Sequence, residues 1–373
     1  MDTRESPTNA ASFDAAQSRD FRSFQEFMRF SRMYINTPLV ERVHRDYRAA
    51  SGMNEPPAGS NAPLDEAAAV LDALPSYQMY AWGMRNLQQF KYGQPGFGIA
   101  AMIRAQAEKL APQLEHLCEG AGDLLRLDPK VKYPAYYDAV DFHQHPGGVW
   151  GDTLDGLIYE YGRRTTVPAH GDGNKIYRQI FAELPHDKKY EKVLDWGCGH
   201  GAGIVTWADA HPESECYGVD LSAPCLKLAH ARAQEHGHRI RFSQQDLAAM
   251  DFADDTFDMA FHLYMLHEIP ADETERVLRE VHRVLKPGGI FIGMELALVK
   301  ESAVQNVLML TEGWLNNEPY MSDCFDTDYG ALARRIGFSE VVAEPFQALI
   351  ASVPRTAKDM PPRSTWNLYK FTK

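Results

Sequence analysis

Cysteine is scarce in this sequence. Five of the 373 residues are cysteines, an odd number with no CxxC pair. That excludes a disulfide framework and a cysteine zinc site as organising devices and points to a reducing, cytoplasmic setting. No run of about 18 apolar residues occurs, so a membrane span is not expected. The first 20 residues, MDTRESPTNAASFDAAQSRD, lack the basic start and apolar centre of a secretion signal and read as a disordered tail. Positive charge is also short: 38 Lys and Arg against 51 Asp and Glu leave a formal net charge of -13. Such a surface repels a phosphate backbone, which makes nucleic acid a poor partner. What remains, 45% hydrophobic and 11% aromatic residues, is ordinary for a globular enzyme.

Two grammars follow one another along the chain. Residues 21–165 carry apolar side chains at helical spacing (38–50, 64–74, 97–117), punctuated by Gly and Pro clusters and without a convincing alternating strand. The turn-rich stretch RRTTVPAHGDGN, 163–174, is the expected linker. From 166 to 373 strands and helices alternate: KVLDW, ECYGVD, RIRFSQQD, FDMAFHLY and GIFIGMEL, with helical segments between them. This predicts an α/β domain with a doubly wound parallel sheet. Two last extended segments, SEVVAEPF and STWNLYKFT, are expected to pair antiparallel at its edge.

The first strand of that domain, Val193-Leu194-Asp195-Trp196, runs into Gly197-Cys198-Gly199-His200-Gly201-Ala202-Gly203. Glycines at a strand-to-helix turn let a ligand touch the backbone. Alone they also fit the dinucleotide fingerprint. The carboxylates sharpen the reading: Asp195 precedes the loop, Asp220 ends the next strand, and Asp246 follows the third. In a doubly wound sheet all three strand ends face one crevice. For any one of them, a helix cap or turn is the plainer explanation.

DWGCGHG, YGVD, QQDL, the FD of the fourth strand and LKPGG before the fifth resemble class I S-adenosylmethionine-dependent methyltransferases. The resemblance runs from about residue 190 to the end and implies a Rossmann-like, seven-stranded sheet with an antiparallel final hairpin. It implies S-adenosylmethionine as cofactor, with Asp195, Gly197, Cys198 and Gly199 at its amino acid end. Asp220, with Leu221, would take the ribose diol, Asp246 the adenine amino group, and Leu247 the ring face. A sulfonium and an ammonium suit carboxylates, whereas a pyrophosphate would be repelled by Asp195.

The segment MLHEIPADE, 265–273, places His267 and Glu268 just beyond an apolar strand that has His262 at or near its end. It resembles the corresponding region of dimeric small-molecule O-methyltransferases, where the histidine is a general base. The resemblance implies His267 as base, Glu295 as its orienting acid, Asp323 as a second one, and a homodimer whose helical N-terminal half dimerises or forms a lid. A neutral imidazole can accept a hydroxyl proton, and a carboxylate fixes its tautomer. The alternative for His267 is a loop hydrogen bond. Glu268 is read with Asp272, Glu273 and Glu275 as favouring a helix N-terminus. His262 is expected to line the pocket. Tyr137, Phe142, His143 and Trp150 are candidate contacts for a small-molecule acceptor, with core packing as the alternative. Asp141, His143 and His145 offer metal ligands, but HxH beside Pro146-Gly147-Gly148 is more simply a turn, and no metal is expected. O-methylation is thus the expected reaction. C-, N- or S-methylation, cyclisation through the sulfonium, a non-catalytic binding module and a nicotinamide enzyme stay open.

Overall fold

The structure, a computed structural model, describes residues 13–52, 61–166, 175–298, 302–346 and 365–373. The tail up to residue 12 and residues 167–174 of the expected linker lie outside the described residues.

The first half is helical: α1 (Arg19–Tyr34), α2 (Val40–Ser51), α3 (Asn61–Asp72), α4 (Pro75–Gly93), α5 (Ile99–Arg104), α6 (Ala107–Cys118), α7 (Asp155–Thr166) and α8 (Lys175–Phe181). Between α1 and α2 the helix does not stop. It widens into a π-turn at Ile35–Leu39, which contains Pro38. Proline has no N–H to donate and its ring crowds the preceding turn, so a local π-turn accommodates it without ending the helix.

The second half alternates as its pattern demands: β2 (Lys192–Trp196), α9 (Ala202–Ala210), β3 (Glu215–Asp220), α10 (Ala223–Glu235), β4 (Arg241–Gln244), β5 (Phe257–Leu263), α11 (Ala271–Val284) and β6 (Leu285–Ala297). Then come α12 (Ala303–Leu315), α13 (Met321–Asp326), α14 (Tyr329–Ile336), β7 (Glu340–Phe346) and β8 (Thr365–Thr372). β2 to β6 pair parallel, and β8 runs antiparallel to both β6 and β7. The expected doubly wound sheet and final hairpin are present. An eighth strand joins them: β1 (Leu125–Arg126), only two residues long, pairs parallel with β4, giving the order β1-β4-β3-β2-β5-β6-β8-β7. A two-residue strand carries no alternation, so the sequence does not announce it.

Two observations change the expected organisation. Residues 13–18 are not a loose tail: Phe13 and Ala15 are buried, and the Phe13 amide donates to Glu235 at 2.5 Å. Moreover, the hydrophobic clusters draw on both sides of residue 165. Leu228 and Ala231 of α10 pack with Leu154, Leu157 and Ile158 around α7, while Val304, Val307 and Leu308 of α12 pack with Ile35, Val43, Tyr47 and Met84. Burying one such aliphatic side chain stabilises by about 1.5–3 kcal/mol, so the shared contacts are substantial. Gln88, Tyr92 and Tyr159 of the helical half line one cavity together with residues at the carboxyl ends of β2, β3, β5 and β6.

Candidate active site

β2 delivers the chain to Gly197 at φ 76°. A Cβ there would stand 2.8 Å from Met265 Cγ, so both dihedral and space require glycine. The amides of Gly197 and Cys198 donate to the Val219 carbonyl at 2.9 and 3.0 Å, which ties the loop to the end of β3. There the Asp220 carboxylate accepts from Gly199 N at 2.8 Å and from Ser222 N at 2.8 Å. Burial pushes the Asp220 carboxyl up to about 6 in spite of those bonds. An acid held this way gains from hydrogen-bond donors or a cation in the space it faces.

That space is a cavity of about 460 Å³. Gly197, Cys198, Gly199, Asp220, Leu221 and Leu247 line one end of it, and Tyr137, Phe142, His143, His267 and Glu268 another part. Asp195 and Asp246 do not reach its wall. Asp195 lies beneath the loop and accepts from Ile204 N at 3.0 Å, capping the start of α9. Asp246 closes a local turn by accepting from Ala248 N at 2.8 Å. Trp150 also stands outside, its ring 5.5 Å from that of Tyr137. His262 is a clear correction. It is fully buried, with its ring stacked 5.4 Å from Phe291 and edge-on to Trp196, and burial lowers its pKa to about 4. It packs within the core instead of lining the pocket.

β5 ends with Leu263 paired to Met294 of β6. Tyr264, at φ 56°, then turns the chain off the sheet, and a short 3-10 turn carries Leu266–Glu268 over the cavity. Glu295, one residue past Met294, is completely buried. Its Oε1 lies 2.7 Å from His267 Nδ1 and accepts from Leu296 N at 2.9 Å, while Oε2 accepts from Leu266 N at 2.9 Å. The predicted pair therefore exists. Burial by itself lowers the His267 pKa, but the Glu295 charge and hydrogen bond, assisted by Glu318 and Glu268, outweigh it and raise the imidazole to about 9. Asp323 is not part of this pair: it accepts from Ala271 N at 3.1 Å and caps α11.

Other acids take the place expected for Asp323. Glu268 Oε1 stands 4.0 Å from His267 Nε2 and 3.0 Å from His143 Nε2, and His143 Nδ1 lies 2.8 Å from Glu318 Oε1. Glu268 is thus more than a helix-dipole residue, and Glu318, in NNEPYMSD, carries no sequence signal at all. Arg163 likewise belongs to no motif in the sequence. It lines the cavity beside the glycine loop, with Nη1 2.9 Å from His200 Nε2. His145 is buried edge-on to Tyr92 at 5.3 Å, and Asp141 accepts from Gly147 N at 3.2 Å, so the HxH segment makes turn and core contacts.

Sheet order, glycine loop and acid-tipped β3 define a nucleoside-binding α/β domain with an acid–base pair at the ends of its fourth and fifth long strands. Residues 193–289 match the family described as methyltransferase domain. The chain carries a class I S-adenosylmethionine-dependent methyltransferase domain. It is 31% identical over 171 residues to a probable methyltransferase of Aspergillus luteorubrus, covering 42% of this chain and 59% of that protein. It is 34% identical over 110 residues to a demethylmenaquinone methyltransferase of Geobacillus stearothermophilus (29% and 46%), and 34% identical over 167 residues to a sterol 4-C-methyltransferase of Caenorhabditis elegans (43% and 48%). The chain spans about half the length of these curated relatives. Among solved structures, a phosphoethanolamine N-methyltransferase 2 of Haemonchus contortus with S-adenosyl-L-methionine aligns at 17% identity and TM-score 0.43, covering 60% of each chain.

The cavity's own chemistry fits this cosubstrate. Gly197 leaves no room for a side chain, Asp220 is a buried acid in need of donors, and Arg163 offers a guanidinium to a carboxylate.

Proposed function

We propose that the protein is an S-adenosylmethionine-dependent methyltransferase of a small molecule, in which His267 takes the hydroxyl proton of the acceptor. Gly197, Cys198, Gly199, Asp220, Leu221 and Leu247 would hold the cosubstrate, with Arg163 at its amino acid end. Bound there, it supplies an electrophilic methyl carbon on a sulfonium. The observation that carries the reading is the buried 2.7 Å contact of Glu295 with His267 Nδ1. It fixes the tautomer and turns Nε2 toward Glu268 on the cavity side.

With a pKa of about 9, His267 is protonated at neutral pH in the free protein. A sulfonium in the same cavity opposes that second cation and brings the imidazole back toward neutrality, its working form as a base. Aromatic walls at Tyr137 and Phe142 suit a planar or apolar acceptor. The deprotonated oxygen, or a carbon conjugated with it, then attacks the methyl carbon. Methylation at carbon has separate support, because the sterol relative's name specifies a 4-C position and an enolate or phenolate also has a nucleophilic carbon.

The protein is proposed to work in the cytoplasm as a homodimer. Phe27, Phe30 and Tyr34 on α1 and Met79, Trp82 and Phe90 on α4 are exposed, and aromatic surface of this kind is typical of interface cores. Sedimentation equilibrium tests the assembly.

The activity is tested with methyl-labelled S-adenosylmethionine and fractionated metabolites from the source. Labelled product with S-adenosylhomocysteine is expected. Methylthioadenosine in its place indicates cyclisation, and unconsumed cosubstrate with every fraction refutes the proposal.

A further inference from the structure

His143 occupies a strained stretch of backbone. Its φ is 55° and that of Gln144 is 58°. This left-handed conformation costs a non-glycine residue on the order of 1–3 kcal/mol and persists only where neighbours hold it. They do: Gln88 Nε2 donates to the His143 carbonyl at 2.8 Å, and Gln144 Nε2 donates to the Leu315 carbonyl at 2.7 Å. The result is an imidazole clamped between Glu318 at 2.8 Å and Glu268 at 3.0 Å. With a carboxylate on each side, the ring is an imidazolium that donates both ways. Burial opposes that charge, but the two hydrogen-bonded acids prevail and raise its pKa to about 10.

Glu268 is therefore oriented by a fixed cation, as His267 is oriented by a fixed anion. Its side chain keeps 31% exposure, into the cavity, and its Oε2 has no hydrogen-bond partner among the described residues. Two proton acceptors with independent supports thus face one cavity, 4.0 Å apart. Methyl transfer to oxygen releases a proton from a single atom, and His267 suffices. Transfer to the carbon beside a hydroxyl moves protons on two atoms, first from oxygen and then from the methylated carbon.

We infer, building on the methyltransferase reading above, that Glu268, positioned by His143, accepts this second proton, and that the acceptor is an enol or phenol methylated at the carbon beside its hydroxyl. His267 takes the O–H proton. The enolate electron pair forms the carbon–carbon bond while the methyl–sulfur bond breaks and leaves its pair on sulfur. Glu268 then takes the C–H proton, that bond's electrons restore the double bond, and His267 returns its proton to the oxygen. One proton is released overall, from Glu268.

The test uses the full chain, methyl-¹³C S-adenosylmethionine and 1,3-dihydroxynaphthalene, a phenol with an open carbon between two hydroxyls. NMR distinguishes C-methyl from O-methyl product. The C-methyl product is expected. Glu268→Gln should lower kcat about 100-fold or more while KM and S-adenosylhomocysteine affinity hold. His143→Gln should lower kcat by a smaller factor with KM unchanged, because Glu268 loses the group that positions it. An O-methyl product, or full kcat in Glu268→Gln, overturns the inference and leaves the methyltransferase reading standing. No product from this phenol or from 4-hydroxycoumarin overturns the enol-or-phenol class. The metabolite-fraction assay then reports separately whether methyl transfer itself fails.

Discussion

Glu295→Gln exchanges one carboxylate oxygen for an amide nitrogen at a site with no solvent to compensate. The carboxylate serves three donors, His267 Nδ1, Leu266 N and Leu296 N. A glutamine amide has one acceptor oxygen and brings two donors of its own, so at least one buried N–H loses its partner, at about 1–3 kcal/mol. The charge contributes separately. His267 moves from 6.5 to about 9, which corresponds to about 3 kcal/mol of coupling. The lowered Glu295 pKa reports the same attraction and is counted once. Because the folded pKa lies above the unfolded one, this stabilisation is fully present below about pH 6.5 and is lost as pH rises through about 9. The variant should therefore be about 4–6 kcal/mol less stable than wild type at pH 6, with the gap narrowing toward pH 10 to the uncharged part of about 1–3 kcal/mol. Urea unfolding across that range, without cosubstrate, measures the gap, and NMR follows the His267 ring. A gap independent of pH, or a wild-type ring titrating near 6.5, refutes the reasoning.

His267→Gln should leave S-adenosylhomocysteine affinity nearly intact and reduce turnover about 100-fold or more; near-normal turnover would remove the base role. In wild type, kcat/KM should climb with pH toward about 9, since it reports the free enzyme's imidazole, and an ascending limb complete by pH 7 would contradict this. Asp220→Ala should weaken S-adenosylhomocysteine binding by about 2 kcal/mol or more, as read by calorimetry. Wild-type affinity should fall as pH drops through about 6, where Asp220 takes up a proton, and the variant should lack that dependence. A fragment starting at Thr166 tests the division into two units. Because it bares Leu228 and Ala231 and loses β1, we expect it to be unstable, whereas a soluble, cofactor-binding fragment would restore an independent second domain.

The residues legible in the sequence are those whose neighbours in space are near in the chain or follow from strand order. Gly197 to Gly199 stand where β2 must turn, and Asp220 must end the next strand because β2 and β3 are parallel partners. His267 follows β5 and Glu295 lies near the end of its partner β6, so two strand ends placed side by side bring them together. The place of His262 does not follow in this way, because β5 is apolar on both faces. Its pattern could not say which side of the pleat faces Trp196 and Phe291. Asp195, Asp246 and Asp323 show the same limit. An acid at a strand or helix end has backbone amides within reach, and each of these three accepts from one.

By itself, then, the sequence determined the alternation that builds the sheet, the glycine turn and the histidine–glutamate pair, because each is a local or strand-ordered property. The second acid–base group was a tertiary decision. His143 lies 125 residues from Glu268 and 175 from Glu318. Only the packing of α4 on α12 and on the turn at 142–144, with that strained turn held by Gln88, closes those distances. No periodicity or spacing encodes such a meeting, since it depends on long-range closure of the whole chain.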